Sequence, residues 1–192
     1  MVTKDEAVSD IDPMKLQKLL YYYQGYSLGL TGQPLFGDPI EGWQYGPVVR
    51  KVYKEYQDYR GLYFPLDLVK SPPNIDDYTS GIARLVMQDK GKFSAIALMK
   101  MTHRENAWQE AWQKERGCSG YSPITSEVLS IETMQRDFEK ILTEEMQDEE
   151  EDEETKRPTR LMLRRSSAYR DEVFSVFYLS FLCRASVSVV RD

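Results

Sequence analysis

At 192 residues, 41% of them apolar, the chain suits one domain with a real core and a short extension. Its 31 acidic and 25 basic residues leave a net charge of −6, which disfavours nucleic acid as a direct partner, because phosphate contacts demand a basic footprint; a local basic patch remains compatible with it. Two cysteines, Cys118 and Cys183, are too few for a secreted disulfide framework, the first ten residues lack an apolar signal-peptide core, and the longest apolar run, 173–183, is about half the ~20 residues of a membrane span, so the chain reads as cytoplasmic with free thiols and no membrane partner.

Asp12-Pro13 opens a first helix: the Asp carboxylate caps free N–H groups, and Pro is pre-set for the first helical position. Leu16, Leu19, Leu20, Tyr23, Ser27 and Leu30 follow at spacings of three and four, with Gly32 as the stop. Tyr21, Tyr22, Tyr23 and Tyr26 make this helix apolar nearly all round, which places it at the centre of the domain. Pro34, Gly37, Pro39 and Gly42 then read as turns, and Phe36, Ile40 and Trp43 allow a short β-hairpin near 35–45. Gly46-Pro47 reads as the start of a second helix carrying Val48, Val49, Val52, Tyr53 and Tyr56 and ending at Gly61. The Pro-rich stretch 62–74 reads as a surface loop.

A third helix is expected over about 75–90, on Tyr78, Ile82, Leu85 and Val86, with Gly91 after it. Ser94 can cap a fourth with Ile96, Leu98, Met99 and Thr102, and Asn106 a fifth with Trp108, Ala111 and Trp112, stopped by Gly117. Ile131, Met134, Phe138, Ile141 and Leu142 mark the last amphipathic helix. The fold class is mostly α: a compact multi-helix single domain with a central buried helix and a C-terminal extension.

Composition breaks near residue 143. Nine acidic residues and no basic one fill 144–154, whereas 156–170 holds six basic residues and no acidic one. Like charges repel and stay hydrated, so 143–155 reads as a flexible acidic linker. In the extension, 156–192, an apolar run follows the basic one, and left bare it would be an aggregation liability. Arg160, Arg164, Arg165 and Arg170 with Phe174, Phe177 and Phe181 are therefore the candidate partner contacts, cations for an acidic surface and rings for buried anchors.

Chemistry-bearing patterns are sparse. His103 is the one histidine, with no ligand cluster around it for a metal. Cys118 lies fifteen residues away without a nucleophile signature, no Gly-rich loop has phosphate-binding spacing, and no carboxylate pair stands out as an acid–base dyad. The reading is of a non-enzyme with no catalytic, metal or cofactor site, in which the His103 ring nitrogens tie a helix end to another segment.

Three segments carry information together: 15–22, KLQKLLYY, with Gly25; Pro34-Leu35-Phe36 followed by 43–49, WQYGPVV; and Thr102-His103-Arg104-Glu105 leading to Trp108. Over about residues 10–142 this resembles the Panacea domain family, a prophage-associated group that includes SocA-like and GepA-like proteins. Tyr23, Gly42 and the pair Asn106-Ala107 depart from the family pattern locally. The motif residues Leu19, Tyr21, Tyr22, Trp43, Tyr45, Gly46, Pro47, Thr102, His103 and Trp108 are read as mainly structural. The resemblance places a Panacea-like helical domain at 1–142. It implies an antitoxin that neutralises a cognate protein toxin, encoded by a neighbouring gene, through direct binding. The alternative it implies is an adaptor delivering a toxin or host protein to a Clp-type protease, or a prophage regulatory protein.

Overall fold

The first helix, α1 (Pro13–Thr31), is delimited by local chemistry: Asp12 accepts from the Lys15 N–H at 2.7 Å, and Gly32, at φ 71°, returns its N–H to Leu28 O. Every residue from 15 to 28 is buried, so α1 is the axis of the molecule. The chain is seen here as a computed structural model that describes residues 11–59, 76–118 and 127–154.

After α1 the backbone of Leu35 and Phe36 is held by one side chain. Gln24 Oε1 accepts from both N–H groups, at 3.0 and 3.1 Å, and Gln24 Nε2 donates to Phe36 O. Strands β1 (Ile40–Trp43) and β2 (Gly46–Val49) then pair antiparallel, Ile40 opposite Val49 and Trp43 opposite Gly46. The hairpin thus lies later than 35–45, and Gly46-Pro47 belongs to a strand instead of starting a helix.

Ladder geometry explains why Pro47 fits there. Its partner Gly42 turns its N–H away from β2, to Glu127 O at 2.9 Å, so Gly42–Pro47 is a non-hydrogen-bonded pair and the missing proline N–H is not needed. Leu129 N–H likewise donates to Ile40 O, so residues 127–129 cover the outer edge of β1. Side chains of α1 cover the outer edge of β2, as described below. Both edges of a two-stranded ribbon are therefore satisfied internally.

Helix α2 (Arg50–Tyr56) follows, with a 3-10 turn at Gln57–Tyr59; the expected stop at Gly61 and the loop 62–74 fall outside the described residues. In α3 (Asp77–Lys90), capped by Asp76 on Thr79 N, the buried face is Thr79, Ile82, Ala83, Val86 and Met87. Tyr78 is on the rim, 45% exposed, with its hydroxyl on Ser27 and Thr31. Ser94 caps α4 (Ala95–Thr102) as expected. The cap of α5 (Asn106–Cys118) comes from elsewhere: Asp137 accepts from Asn106 Nδ2 at 2.7 Å and from Ala107 N at 2.9 Å, and Gly117 lies inside this helix.

The last helix, α6 (Ile131–Glu154), packs along α1 through Met134, Phe138 and Leu142. It is helical to Glu154, so most of 143–155 is helix and not a flexible spacer. Glutamate is a good helix former, and extending a helix already nucleated by packing costs little. The extension 156–192, with Arg160, Arg164, Arg165, Arg170, Phe174, Phe177 and Phe181, lies outside the described residues. The fold is mostly α, with one small hairpin, and no helix among the described residues is long and apolar enough to cross a membrane.

Candidate functional site: polar clamps and an exposed turn

A helix buried on all sides buries its polar residues too, and α1 carries Lys15, Gln17, Lys18 and Gln24 in the core. An unmatched buried polar group costs a few kcal/mol, so each needs a partner. Gln17 Oε1 accepts from Val49 N at 2.8 Å and its Nε2 donates to Val49 O. Lys18 Nζ donates to Pro47 O at 2.9 Å. These are the contacts that close the β2 edge.

Lys18 also explains Gly46. Its φ is +94°, and a Cβ there would sit 2.9 Å from both Lys18 Nζ and Thr102 Oγ1, so side chain and backbone strain alike exclude other residues. Burial pushes the Lys18 ammonium pKa down to about 7. Thr102 donates its hydroxyl to Met99 O at the end of α4.

The loop between α4 and α5 meets the same region. The His103 ring stacks on Trp108 at 3.9 Å and 15°, and Trp108 stacks on Trp112 at 5.8 Å. Trp108 Nε1 donates to Trp43 O at 2.9 Å, fixing the last residue of β1. Contrary to expectation, it is ring stacking that holds His103: its Nε2 has no hydrogen-bond partner among the described residues. Burial, then the nearby Lys18 charge, holds the His103 pKa below its usual value, so the ring is neutral at pH 7.

Glu105 completes the loop. Its carboxylate accepts from Tyr21 Oη in a very short hydrogen bond and from Tyr22 Oη at 3.1 Å. Burial pushes the Glu105 pKa up to about 7, against the lowering effect of the two phenols and of Lys90. Burial and the Glu105 carboxylate in turn raise both tyrosines far above their usual range. One turn further along α1, Tyr26 donates to Asp89, which pairs with Lys90 at 2.6 Å, and the Lys90 ammonium lies 5.2 Å over the Tyr22 ring. Glu41 in β1 is held by Arg50, at 2.8 and 2.6 Å, and by Trp43 Nε1 at 2.7 Å.

Most of the motif residues converge here. Tyr21 and Tyr22 meet at Glu105; Gly46, Pro47 and Thr102 surround Lys18; Trp43, His103 and Trp108 form one stack and clamp. Leu19 is apart from them, as ordinary fully buried core. Tyr45 differs again: at the tip of the hairpin turn it is 60% exposed. Reading the motif by its apolar residues missed Lys18, Glu105, Gln17 and Gln24. A usable signal was present in Lys18, a charge inside a helix apolar all round.

What this arrangement does chemically is hold position: Gln17, Lys18, Gln24 and Trp108 fix backbone at a named carbonyl or amide, and Glu105, Asp89 and Glu41 tie side chains of different segments together. Among the described residues no group of three His, Cys, Asp or Glu side chains is placed to hold a metal ion.

Comparison with known proteins finds matches over part of the chain. Residues 16–109 match the family model described as antitoxin SocA-like, Panacea domain. The chain is 32% identical over 104 residues to antitoxin SocA of Caulobacter vibrioides (strain NA1000 / CB15N), an overlap of 48% of this chain and 55% of that protein. The chain therefore spans about half the length of that curated relative. No solved structure matches.

Proposed function

We propose, from the match of residues 16–109 to the SocA-like Panacea antitoxin family, that the chain neutralises a cognate protein toxin by binding it directly. The observation that carries this reading is the use made of residues in the matched stretch. Lys18, Tyr21, Tyr22, Pro47, Glu105 and Trp108 bond across segments inside the core, and Gly46 packs against Lys18 and Thr102. Residues committed in this way build a scaffold and perform no catalysis; toxin recognition then falls to exposed groups. The toxin is the product of a neighbouring gene.

The extension supplies part of that recognition in this proposal. Arg160, Arg164, Arg165 and Arg170 meet acidic groups on the toxin, and Phe174, Phe177 and Phe181 act as apolar anchors. The test is co-expression with the adjacent reading frame, scoring growth and co-purification. Truncation after Glu154, which leaves α6 whole, weakens toxin binding at least tenfold, about 1.4 kcal/mol. A truncated chain that binds and neutralises as well as the full one removes the extension from the mechanism.

A further inference from the structure

Helix α4 continues into its loop with one outward row. Ile96 and Lys100 are one turn apart on α4, and Arg104 lies just past its end in the following turn, where its N–H bonds to Met101 O; Ile96 is 59% exposed, and both cations are exposed as well. Among the described residues neither cation pairs with a carboxylate. The row spans roughly 12 Å, the reach of ~4 extended residues of another chain.

This row ends beside the hairpin turn. Thr102 Oγ1 lies against Gly46, and the next residue back is the exposed Tyr45. Both flanks of that turn are fixed from within, Trp43 O by Trp108 and Pro47 O by Lys18. An exposed tyrosine on an immobilised turn offers contact area at low entropic cost, which is how aromatic anchors work in binding sites.

Charge identifies the occupant. The chain is acidic overall, at −6, yet this row is cationic, and the sequence of the extension contains six basic residues over 156–170. Two separate cationic elements on an acidic protein complement an acidic partner. Nucleic acid fits poorly, because the net charge of −6 repels the polyanion. We infer that the face formed by Tyr45, Ile96, Lys100 and Arg104 docks an acidic segment of the protein partner, its carboxylates on Lys100 and Arg104 and its apolar side chains on Tyr45 and Ile96. This rests on the reading of the chain as a toxin-binding protein and names where and by what chemistry it binds.

The experiment uses the full chain and the product of the adjacent reading frame. Dissociation constants are measured at about 50 and about 300 mM salt, across the range in which exposed charge pairs become screened. Lys100→Glu with Arg104→Glu weakens binding at least about tenfold and lowers its salt dependence, leaving the share that the cations of the extension supply. Tyr45→Ala weakens it about tenfold and leaves the salt dependence intact. Arg84→Glu with Lys140→Glu, matched in charge on other faces, stays within about twofold of wild type. Circular dichroism confirms the fold of each variant, with Lys100→Gln and Arg104→Gln as the milder pair if reversal unfolds the chain. Overlapping peptides of the partner are probed in parallel, and those retained are acidic. Wild-type binding that both reversals leave unchanged overturns this face and spares the antitoxin reading. Duplex DNA held by wild type and lost on reversal, with partner binding intact, reassigns the face to nucleic acid. A wild-type chain that neither binds the product nor retains an acidic peptide from it removes both.

Discussion

Helix α1 is gripped in two different ways on its two flanks. Against α6 it presents Gly25 and Gly29, and the Phe138 ring and Leu142 fill the space: a Cβ on Gly25 would lie 2.2 Å from Phe138 Cε2. Phe138 also meets the Tyr21, Tyr22 and Tyr26 rings edge-on at 5.5–5.9 Å. Against the hairpin and the preceding loop, α1 presents Gln17, Lys18 and Gln24, each bonded to backbone. The first flank binds by shape and buried area, which stabilises without naming any particular atom. The second binds by addressed hydrogen bonds, which place Val49, Pro47, Leu35 and Phe36 individually. Stability comes mainly from the first, and the position of the exposed turn from the second.

The shape flank breaks hardest. Gly25→Leu sets carbon atoms where the Phe138 ring already is. The expected loss is about 3 kcal/mol or more, at the upper end for overpacked cores, in chemical denaturation. Adding Phe138→Ala makes the space available, so the double variant is less destabilised than the two single losses summed. Additive losses, or a Gly25→Leu loss under about 1 kcal/mol, mean the helices are not in this close contact.

The address flank shows itself in pH dependence. The Lys18 pKa falls from 10.5 to about 7 on folding, so its contribution is complete above pH 10.5 and is lost as pH falls toward 7. The Glu105 pKa rises from 4.5 to about 7, so its contribution is complete below pH 4.5 and is lost as pH rises toward 7. The two slopes oppose one another, and their sum is lowest near neutrality. Urea midpoints for Lys18→Met lose the rise between pH 7 and 9, a change of about 2 kcal/mol. Those for Glu105→Gln lose the fall between pH 4.5 and 7, about 2–3 kcal/mol. Slopes identical to wild type in both variants contradict the buried placement of these charges.

What could be read ahead of the structure divides along the same line. Asp12-Pro13, Gly32 and Ser94 were legible because caps act within a few residues, and the burial of α1 followed from its ring of tyrosines. Gly46-Pro47 was misread because a proline at a helix start and one on a strand edge look alike locally. The decision is made by Lys18, Gly42 and Glu127, far off in the chain. The cap of α5 failed for the same reason: it is supplied by Asp137, thirty residues from Ala107. Charge repulsion in 144–154 weighed too heavily against the helix propensity of glutamate. For the site, the motif identified the scaffold, while the exposure of Tyr45 and the pairing of Glu105 with two phenols depend on tertiary contacts that no spacing announces.

The smallest expected effect belongs to His103, which joins neither flank by hydrogen bonding. Its ring lies parallel to Trp108 at 3.9 Å, and its Nε2 is buried without a partner among the described residues. Stacking of aromatic rings is worth about 1 kcal/mol, and an unmatched buried nitrogen costs a similar amount. His103→Phe keeps the stack and removes the unmatched atom, so its stability rises by about 1 kcal/mol or less. His103→Ala gives up the stack and the packing of the ring together with the unmatched atom, a net loss of about 1 kcal/mol. Chemical denaturation of the two variants separates ring from nitrogen: a large loss in His103→Phe assigns the side chain a hydrogen bond. The same variant also tests the non-catalytic reading. A ring without nitrogens cannot carry a proton, so neutralisation by His103→Phe should match wild type; a folded variant that binds the toxin but fails to neutralise it places chemistry at this histidine.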